Sequence, residues 1–534
     1  MPAISRGAEF SPAWVSRTPL GTSLSAGAAG IHVDPDGVSY VTGTSGASSS
    51  TDITTTSFAP DGSLRWSKTF NGPTSGADQA GGIARGPGNL LYVVGNTAGP
   101  DFFANLLVLT YDATNGALLN TIVYSTRPGT SEFGSSIVAD SAGNIYVTGG
   151  TVGDGVDVLT LKFDSTGALK WKRTWDGAAR SPFSGDSPVK VLLDPNGDVV
   201  VAIYGVAASN HPDYVVVKYA PSTGVTLWES SFGVSGDDSP IDMEIDSAGD
   251  IYVTGTGIDF INKYSTIKLR GSDGQLLWQF YDAFGQSHAA KGLFLDGQGG
   301  VLITGSSDPD GDQSNSNDQF FTVKRDATTG AQLWTHVYGA TCVGCLDVPS
   351  DVRVDSAGNA FVIGRTSSAP YSNDVILFVL DNTTGVEKDR GLFLNTGTEI
   401  PTPRELRFDA AFNIYNSGQI YDANTGAIDM SVTKWASRIG GGGGGIPCAD
   451  LVSFRARCKA TSRGHTLQAQ LTLTNANHAG ESVTVTVDGQ PFVLTINGSK
   501  AQLSTPETTT GPHTIELVDP AGCFPAQAVN CPAN

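Results

Sequence analysis

Between Asp308 and Asp318 the chain alternates hard oxygen donors along a glycine-containing loop: Asp308, Asp310, Asp312, Ser314 and Asp318, with Gly311 among them. Ca²⁺ takes about six to eight oxygen ligands at flexible geometry, so this spacing makes calcium the cation to expect. The glycine is displaced from its EF-hand place and no Glu closes the loop, so it is not an EF-hand; a solvated loop of Asx turns would use the same residues. A second set recurs along the chain. Eight residues before each copy of a repeated turn stand Ala26, Asp78, Glu132, Asp186, Asp238, His288, Asp347 and Pro401. If these positions open the innermost strands of a closed ring of sheets, Asp78, Glu132, Asp186, Asp238, His288 and Asp347 form a channel-mouth ring able to hold a cation or a cationic ligand. The competing reading is that each carboxylate accepts backbone hydrogen bonds and staples neighbouring sheets, and recurrence favours it.

Cysteine chemistry points to disulfides. All six cysteines follow residue 340, and Cys448, Cys458, Cys523 and Cys531 crowd into the C-terminal region. An even number in a small β-rich unit reads as an oxidising compartment. The preferred pairing is Cys448 with Cys531 and Cys458 with Cys523, although four cysteines allow three connectivities. Cys342 and Cys345 have zinc or redox spacing, but no second pair or nearby histidine completes a zinc set, so a loop disulfide is expected there. Catalytic motifs are missing: no Gly-x-Ser-x-Gly, His-Glu-x-x-His or phosphate-cradling loop occurs, and the seven histidines are scattered. Carboxylates abound, but none is singled out as a glycosidase pair.

The elements that must position these residues come from a repeat. Ser136-Ile137-Val138-Ala139-Asp140-Ser141-Ala142-Gly143-Asn144-Ile145-Tyr146-Val147-Thr148-Gly149 returns as Met243-Glu244-Ile245-Asp246-Ser247-Ala248-Gly249-Asp250-Ile251-Tyr252-Val253-Thr254-Gly255. Alignment on this unit gives anchors at Asp34, Gly86, Asp140, Asp194, Asp246, Asp296, Asp355 and Asp409, roughly 50–59 residues apart, a propeller-blade period. Each unit reads as four short strands, and the fourth carries Trp66, Trp171, Trp228, Trp278 or Trp334 in most copies. The last copy ends at Trp435 without a fourth strand; Ala13-Trp14-Val15-Ser16-Arg17 supplies it from the N-terminal end. The expectation is an all-β chain: an eight-bladed β-propeller closed by the N-terminal strand over residues 1–438, a glycine linker at 439–445, and a C-terminal β-sandwich of immunoglobulin-like type over 446–534.

Composition agrees and excludes some partners. Gly 66 and only 16% charged residues suit many short strands joined by tight turns. A net charge of −20 opposes binding to a phosphate backbone, so nucleic acid is excluded as a partner. No apolar run is long enough for a membrane-spanning helix. The residues Met1 to Arg6 show no secretory signal, so an exported protein would be a mature or truncated form, or would leave by another route.

The Asp-Ser-Ala-Gly-Asn-Ile-Tyr-Val-Thr-Gly unit at 140–149, with its copies at Asp246 and Asp355, resembles the bacterial β-propeller repeat labelled SBBP across residues 8 to 438; the Gly86 and Asp409 copies are degenerate. The resemblance implies an exported or surface-attached bacterial protein, commonly with a trailing sandwich domain, and carries no catalytic residues. Asp326-Ala327-Thr328-Thr329-Gly330-Ala331-Gln332-Leu333-Trp334 also resembles the docking motif of eight-bladed quinoprotein dehydrogenases, but the adjacent Cys-Cys pair of those enzymes is absent. The functional expectation is a secreted or cell-surface binding or scaffold protein, with its ligand face near the sixth and seventh blades and an extracellular polysaccharide or a cell-surface protein as partner. Its alternatives are a carbohydrate-active enzyme, lyase or hydrolase, at the channel mouth and, third, a quinoprotein oxidoreductase.

Overall fold

The computed structural model describes residues 11–18, 25–47, 50–153, 155–177, 185–206, 211–233, 236–259, 261–282, 287–308, 318–339, 346–367, 373–435, 451–461, 464–474, 482–487, 490–505, 510–519 and 527–531. They form β-strands and turns, without an α-helix among them. The chain divides into two compact units, residues 1–407 with 415–434, and residues 408–414 with 435–534.

The first unit is a β-propeller built from the repeat. Six four-stranded antiparallel sheets follow one another in strict chain order, from Gln79–Arg85 through Glu387–Phe393. A further sheet combines the strands Ser25–Val33 to Leu64–Phe70 with Glu399–Phe408, Ile414–Asp422 and Ala427–Trp435, the two sets being linked by the single pair Ser25 and Ile428. The strand Pro12–Arg17 pairs with Ala427–Trp435, so the chain's start supplies the strand that its last repeat lacks. Pairing both ends in one sheet gives the strand Ala427–Trp435 a partner it would otherwise lack.

Neighbouring sheets dock through the features that recur. The indole Nε1 of Trp66 donates to the Ala113 carbonyl of the next sheet at 3.0 Å; Trp171 reaches Pro221 (3.0 Å), Trp228 Gly271 (3.1 Å), Trp278 Ala327 (3.2 Å) and Trp334 Asn382 (2.9 Å). Trp14 does the same to Pro60 at 3.1 Å, so the N-terminal strand docks as the other outermost strands do. The turn glycine under each indole is required twice over. Gly116 has φ 71°, and a Cβ there would lie 2.7 Å from the Trp66 ring. The anchor aspartates close their own turns: Asp140 Oδ1 accepts from the amides of Ala142 (3.0 Å) and Asn144 (2.9 Å). In several sheets a buried lysine of the third strand meets this turn, as Lys218 does at Asp194 (2.6 Å) and Lys324 at Asp296 (2.7 Å).

The second unit holds a three-stranded sheet (Leu451–Thr461, Gly464–Leu473, Lys500–Ser504) and a four-stranded one (Gln490–Thr495, Ser482–Val487, Gly511–Asp519, Gln527–Cys531) over one apolar core of Leu467, Leu471, Val483, Val485, Ile515 and Leu517. A disulfide joins Cys458 to Cys531, which overturns the expected pairing of Cys448 with Cys531 and Cys458 with Cys523. The reason is local. Gln527 donates to the Phe454 carbonyl (2.6 Å) and accepts from the Ala456 amide (3.0 Å), clamping the strand of Cys458 onto the strand of Cys531. Cys342, Cys345, Cys448 and Cys523 lie outside the described residues, as do Asp488-Gly489 and the glycine run.

Candidate ligand site in the central channel

The first strands of successive sheets line a common cavity of about 710 Å³. Their alternation is broken at one shared place. Opposite the second strand, the register skips a residue between Ala28 and Gly30, Ala80 and Gly82, Gly134 and Ser136, Pro188 and Lys190, Pro240 and Asp242, Ala290 and Gly292, and Pro349 and Asp351. A bulge of this kind re-aims side chains, so adjacent residues can share one side of the strand. Pairs such as Ser135-Ser136, Val189-Lys190, Ile241-Asp242 and Ser350-Asp351 accordingly line the cavity together.

Bulge and following residue differ sharply around the ring. On one arc they are Ala29-Gly30, Gly81-Gly82 and Ser135-Ser136; on the other they include Lys190, Asp242, Lys291, Asp351, Arg404 and Glu405. The charged arc is wired between strands. Lys190 Nζ lies 2.9 Å from Asp242 and 3.2 Å from Glu244, while the second Asp242 oxygen accepts from the Leu293 amide at 3.1 Å. Asp351 pairs with Arg353 (3.2 Å) and more loosely with Arg407 (3.8 Å), and accepts from the Leu406 amide at 2.8 Å; Arg407 also holds Glu405 at 2.6 Å. Arg353 further stacks over the Phe294 ring, 5.1 Å from its centre.

Electrostatics follow from burial set against these partners. Burial raises the Asp242 carboxyl, but Lys190 and Arg353 outweigh it and hold the group below its ordinary value. For Asp351 burial prevails over Arg353 and Arg407, and its carboxyl is raised. Lys190 is opposed by burial yet held above its ordinary value by Asp242 and Glu244, and Arg353 likewise by Asp351 and Glu244. Two further cavity-lining cations, Lys291 and Arg404, are exposed, and Lys291 acts electrostatically on the Asp318 carboxylate.

None of the acidic column expected to ring the channel mouth is among the residues that line the cavity. Asp78, Glu132, Asp186, Asp238 and Asp347 are all buried. Their oxygens face the protein. Asp78 accepts from the amides of Gly72 (2.5 Å) and Ala98 (3.4 Å), Asp186 from Gly177 and Val206 (both 3.2 Å), and Asp347 from the Thr366 hydroxyl (2.6 Å) and the Ser367 amide (3.1 Å). Glu132 accepts from the hydroxyls of Thr126, Thr130 and Thr151. Their own amides reach the preceding sheet: Asp78 to Thr51 (2.6 Å), Asp186 to Val156 (3.1 Å), Asp238 to Pro212 (2.8 Å) and Asp347 to Asp318 (3.1 Å). Asp78, Asp186 and Asp347 thus cap the crossing between sheets with backbone amides on their oxygens, whereas one Glu132 oxygen has no hydrogen-bond partner among the described residues and Asp186 also stands with Asp157 and Asp176 in a cluster whose oxygens lie within 4.8 Å of one another. Nothing is described of the His288 side chain. Of the calcium-loop residues, Asp308 is buried and Asp318 half-buried with its carboxyl raised by burial and by Asp308; Asp310, Asp312 and Ser314 lie outside the described residues.

Sequence reasoning missed Lys190, Asp242, Asp351, Arg353 and Arg407. The signal was present in the column four residues before each anchor, which runs Gly30, Gly82, Ser136, Lys190, Asp242, Gly292, Asp351 and Glu405 and varies where its neighbours recur.

No protein-family model matches the chain, and no curated protein matches it. Solved structures do. Sqt1 from Chaetomium thermophilum aligns at 11% identity over 80% of this chain and 98% of its own, with a TM-score of 0.50. BamB from Moraxella catarrhalis aligns at 13% identity over 80% and 99% (TM-score 0.44), and the quinohemoprotein alcohol dehydrogenase from Comamonas testosteroni at 12% over 82% and 78% (TM-score 0.47). At such identities the likeness concerns the β-propeller fold alone.

Proposed function

We propose that this chain is a secreted or cell-surface bacterial binding scaffold: an eight-bladed propeller of the SBBP kind over residues 1–438, followed after a glycine linker by an immunoglobulin-like sandwich over 446–534. The count of eight rests on six separate four-stranded sheets plus a joint sheet of eight strands, which divides into two sets of four once Pro12–Arg17 is assigned to the last repeat. Two facing sheets on one core support the sandwich, and the Cys458–Cys531 bond supports an oxidising compartment.

One observation carries binding over catalysis. The four carboxylates of the channel network, Asp242, Glu244, Asp351 and Glu405, are each held by a lysine or arginine. A general acid–base pair needs carboxylates able to exchange protons with a substrate, and these are committed to fixing strands. The cavity of about 710 Å³ has the size of a small-ligand site. The ligand is an extracellular polysaccharide or a cell-surface protein. Calcium at Asp308–Asp318, on the face of the sixth and seventh blades, remains part of the proposal.

A screen of the full-length protein against glycans and polymers, with and without chelator, tests the reading. Saturable binding without turnover is expected. Turnover of a polysaccharide, lost on substituting Asp242 or Asp351, would overturn it. Unchanged melting in chelator together with no calcium by elemental analysis would remove the calcium loop from it.

A further inference from the structure

We propose that Lys324 and Asn382 join in an amide bond between consecutive sheets, formed by the fold itself with Asp296 as the catalytic proton carrier; this goes beyond the binding reading and does not depend on it. The three side chains meet in one buried place. Lys324 Nζ lies 2.7 Å from Asp296 Oδ2, and Asn382 Nδ2 donates to the same oxygen at 3.0 Å. Lys324 Nζ also donates to the Asn382 main-chain carbonyl at 2.8 Å, so the amine stands against the residue whose carboxamide it attacks. That carbonyl accepts from the Trp334 indole as well (2.9 Å), and the Asn382 amide donates to Gly358 (3.0 Å), which fixes the residue from both sides. Lys324 and Asn382 are buried, and the Asp296 side chain has no exposed surface. The Asn382 carboxamide oxygen is buried without a hydrogen-bond partner among the described residues, a cost that a purely structural asparagine would avoid.

What recurs around the propeller sets this place apart from the other docking contacts. A third-strand lysine reaches the indole-accepting carbonyl repeatedly: Lys162 at Pro221 (2.8 Å), Lys218 at Gly271 (2.9 Å) and Lys268 at Ala327 (3.2 Å). Proline, glycine and alanine give that amine nothing to react with, whereas Asn382 gives it a carboxamide. The anchor turn differs too. Asn144, Asn359 and Asn413 fill the Oδ2 of their anchors at 2.7, 2.8 and 2.7 Å, but the aligned residue here is Gly300. A Cβ there would lie 2.4 Å from Asp296 Oδ2 and 2.2 Å from Lys324 Cε, so the glycine leaves that oxygen to Lys324 and Asn382. Burial raises the Asp296 carboxyl, but the hydrogen bonds from Lys324, Asn382 and the amides of Gln298 and Gly300 hold it below its ordinary value, so it rests as the anion of a buried ion pair. The step balances without a co-reactant. A proton passes from Nζ to Asp296, and the freed amine attacks Asn382 Cγ to form the new N–C bond. Asp296 gives its proton to Nδ2, the Cγ–Nδ2 bond breaks and ammonia leaves, while Nζ passes its second proton to Asp296. Nothing is oxidised or reduced. A buried charge pair, which seldom repays its desolvation, becomes a neutral amide and a neutral acid. The two residues stand 58 apart in sequence, so the bond closes a loop and restricts the unfolded chain as a disulfide does.

The experiment weighs the intact full-length chain by mass spectrometry and maps its reduced peptides after trypsin, which cuts between the two residues at Arg353 and Arg365. Wild type is expected to weigh one ammonia less than its sequence, with the peptides of Lys324 and Asn382 joined and the chain no longer cut at Lys324. A chain held in urea from synthesis should keep its full mass and lose the ammonia on refolding, because the folded site forms the bond. Asn382→Ala keeps the main-chain carbonyl for Trp334 and Lys324, and should have its full sequence mass. Asp296→Asn retains both reacting residues and should leave them unlinked. Full sequence mass in folded wild type, with the two peptides separate, would overturn the bond whatever the variants do. Ammonia lost with the peptides still separate, as a ring closed within the Asn382 peptide, would overturn it as well. Linking in Asp296→Asn at the wild-type rate would overturn the role given to Asp296.

Discussion

Replacing Asp78 by Asn separates a structural staple from a cation ring. Asp78 is fully buried, with one carboxylate oxygen 2.5 Å from the Gly72 amide and the other 3.4 Å from the Ala98 amide. Asn keeps the shape but offers one acceptor, so its NH₂ must face one of the two donors. Directing the remaining oxygen to Gly72 keeps the shorter bond but strips it of charge assistance, and leaves the Ala98 N–H against another donor. An unpaired buried donor costs about 1–3 kcal/mol, and losing the charge from the other bond adds about 1 kcal/mol. Relief of the repulsion that raises the neighbouring Asp52 carboxyl returns part of this. The net expectation is about 2 kcal/mol, read as a lower urea midpoint at unchanged slope, with Asp237→Asn as an exposed control near zero. The calcium dependence of melting should be the same in wild type and variant. A variant of wild-type stability that had lost a calcium-induced shift would refute the staple and restore the ring.

Asp194→Ala leaves the buried Lys218 ammonium without its 2.6 Å partner and should cost about 3–5 kcal/mol; Lys218→Met should cost less, because Asp194 keeps the amides of Asn196 and Asp198, and urea denaturation orders the two. Burial, helped by Arg390, lowers the His336 pKa from 6.5 to about 4. The unfolded chain therefore takes up the proton first, so stability is whole above about pH 6.5 and is lost as pH falls toward 4, by about 2 kcal/mol between pH 7 and 5. His336→Gln should flatten that component of the stability–pH curve, and an unchanged slope would contradict the burial. Trp14→Ala removes the Pro60 hydrogen bond and the cover over Gly62, and should cost about 2 kcal/mol; a peptide of residues 11–18 added to a chain beginning at residue 19 should raise its melting temperature.

What the sequence made legible is what every sheet needs. The Asp-x-x-Gly turn, the indole and the glycine beneath it recur because each sheet docks on the next by the same contacts, and Trp14 betrayed the closing strand by its distance from Asp34. The acidic column stands before the innermost strands as expected, but its side chains turn into the crossings, since Gly72 and Gly177 bring bare amides there. The channel lining escaped because a bulge breaks the two-residue period: alternation assigns Ile241 and Asp242, or Ser350 and Asp351, to opposite sides, and only the skipped pairing brings each pair together. The disulfide escaped because which strands adjoin in the second unit depends on contacts such as Gln527 with Phe454, which cysteine spacing does not encode.

The two kinds of column bear different loads, and that difference locates function more sharply than any motif. A residue that docks sheets is constrained alike in every repeat, so its column drifts little: the residue three before the anchor is Ile31, Ile83, Ile137, Val191, Met243, Leu293, Val352 and Leu406, apolar throughout. The next position toward the N-terminus lines the cavity in every copy but Gly292, and it varies among glycine, serine, lysine, aspartate and glutamate. Had these positions served stability alone, small or apolar residues would do, since buried ion pairs seldom repay their desolvation. Instead Lys190, Asp242, Asp351 and Arg353 carry that cost on one arc only and tie together the first strands of five successive repeats. A rigid charged wall facing a small-residue wall is what recognition of a polar, oriented ligand requires, and it is the part of this propeller that its own symmetry does not explain.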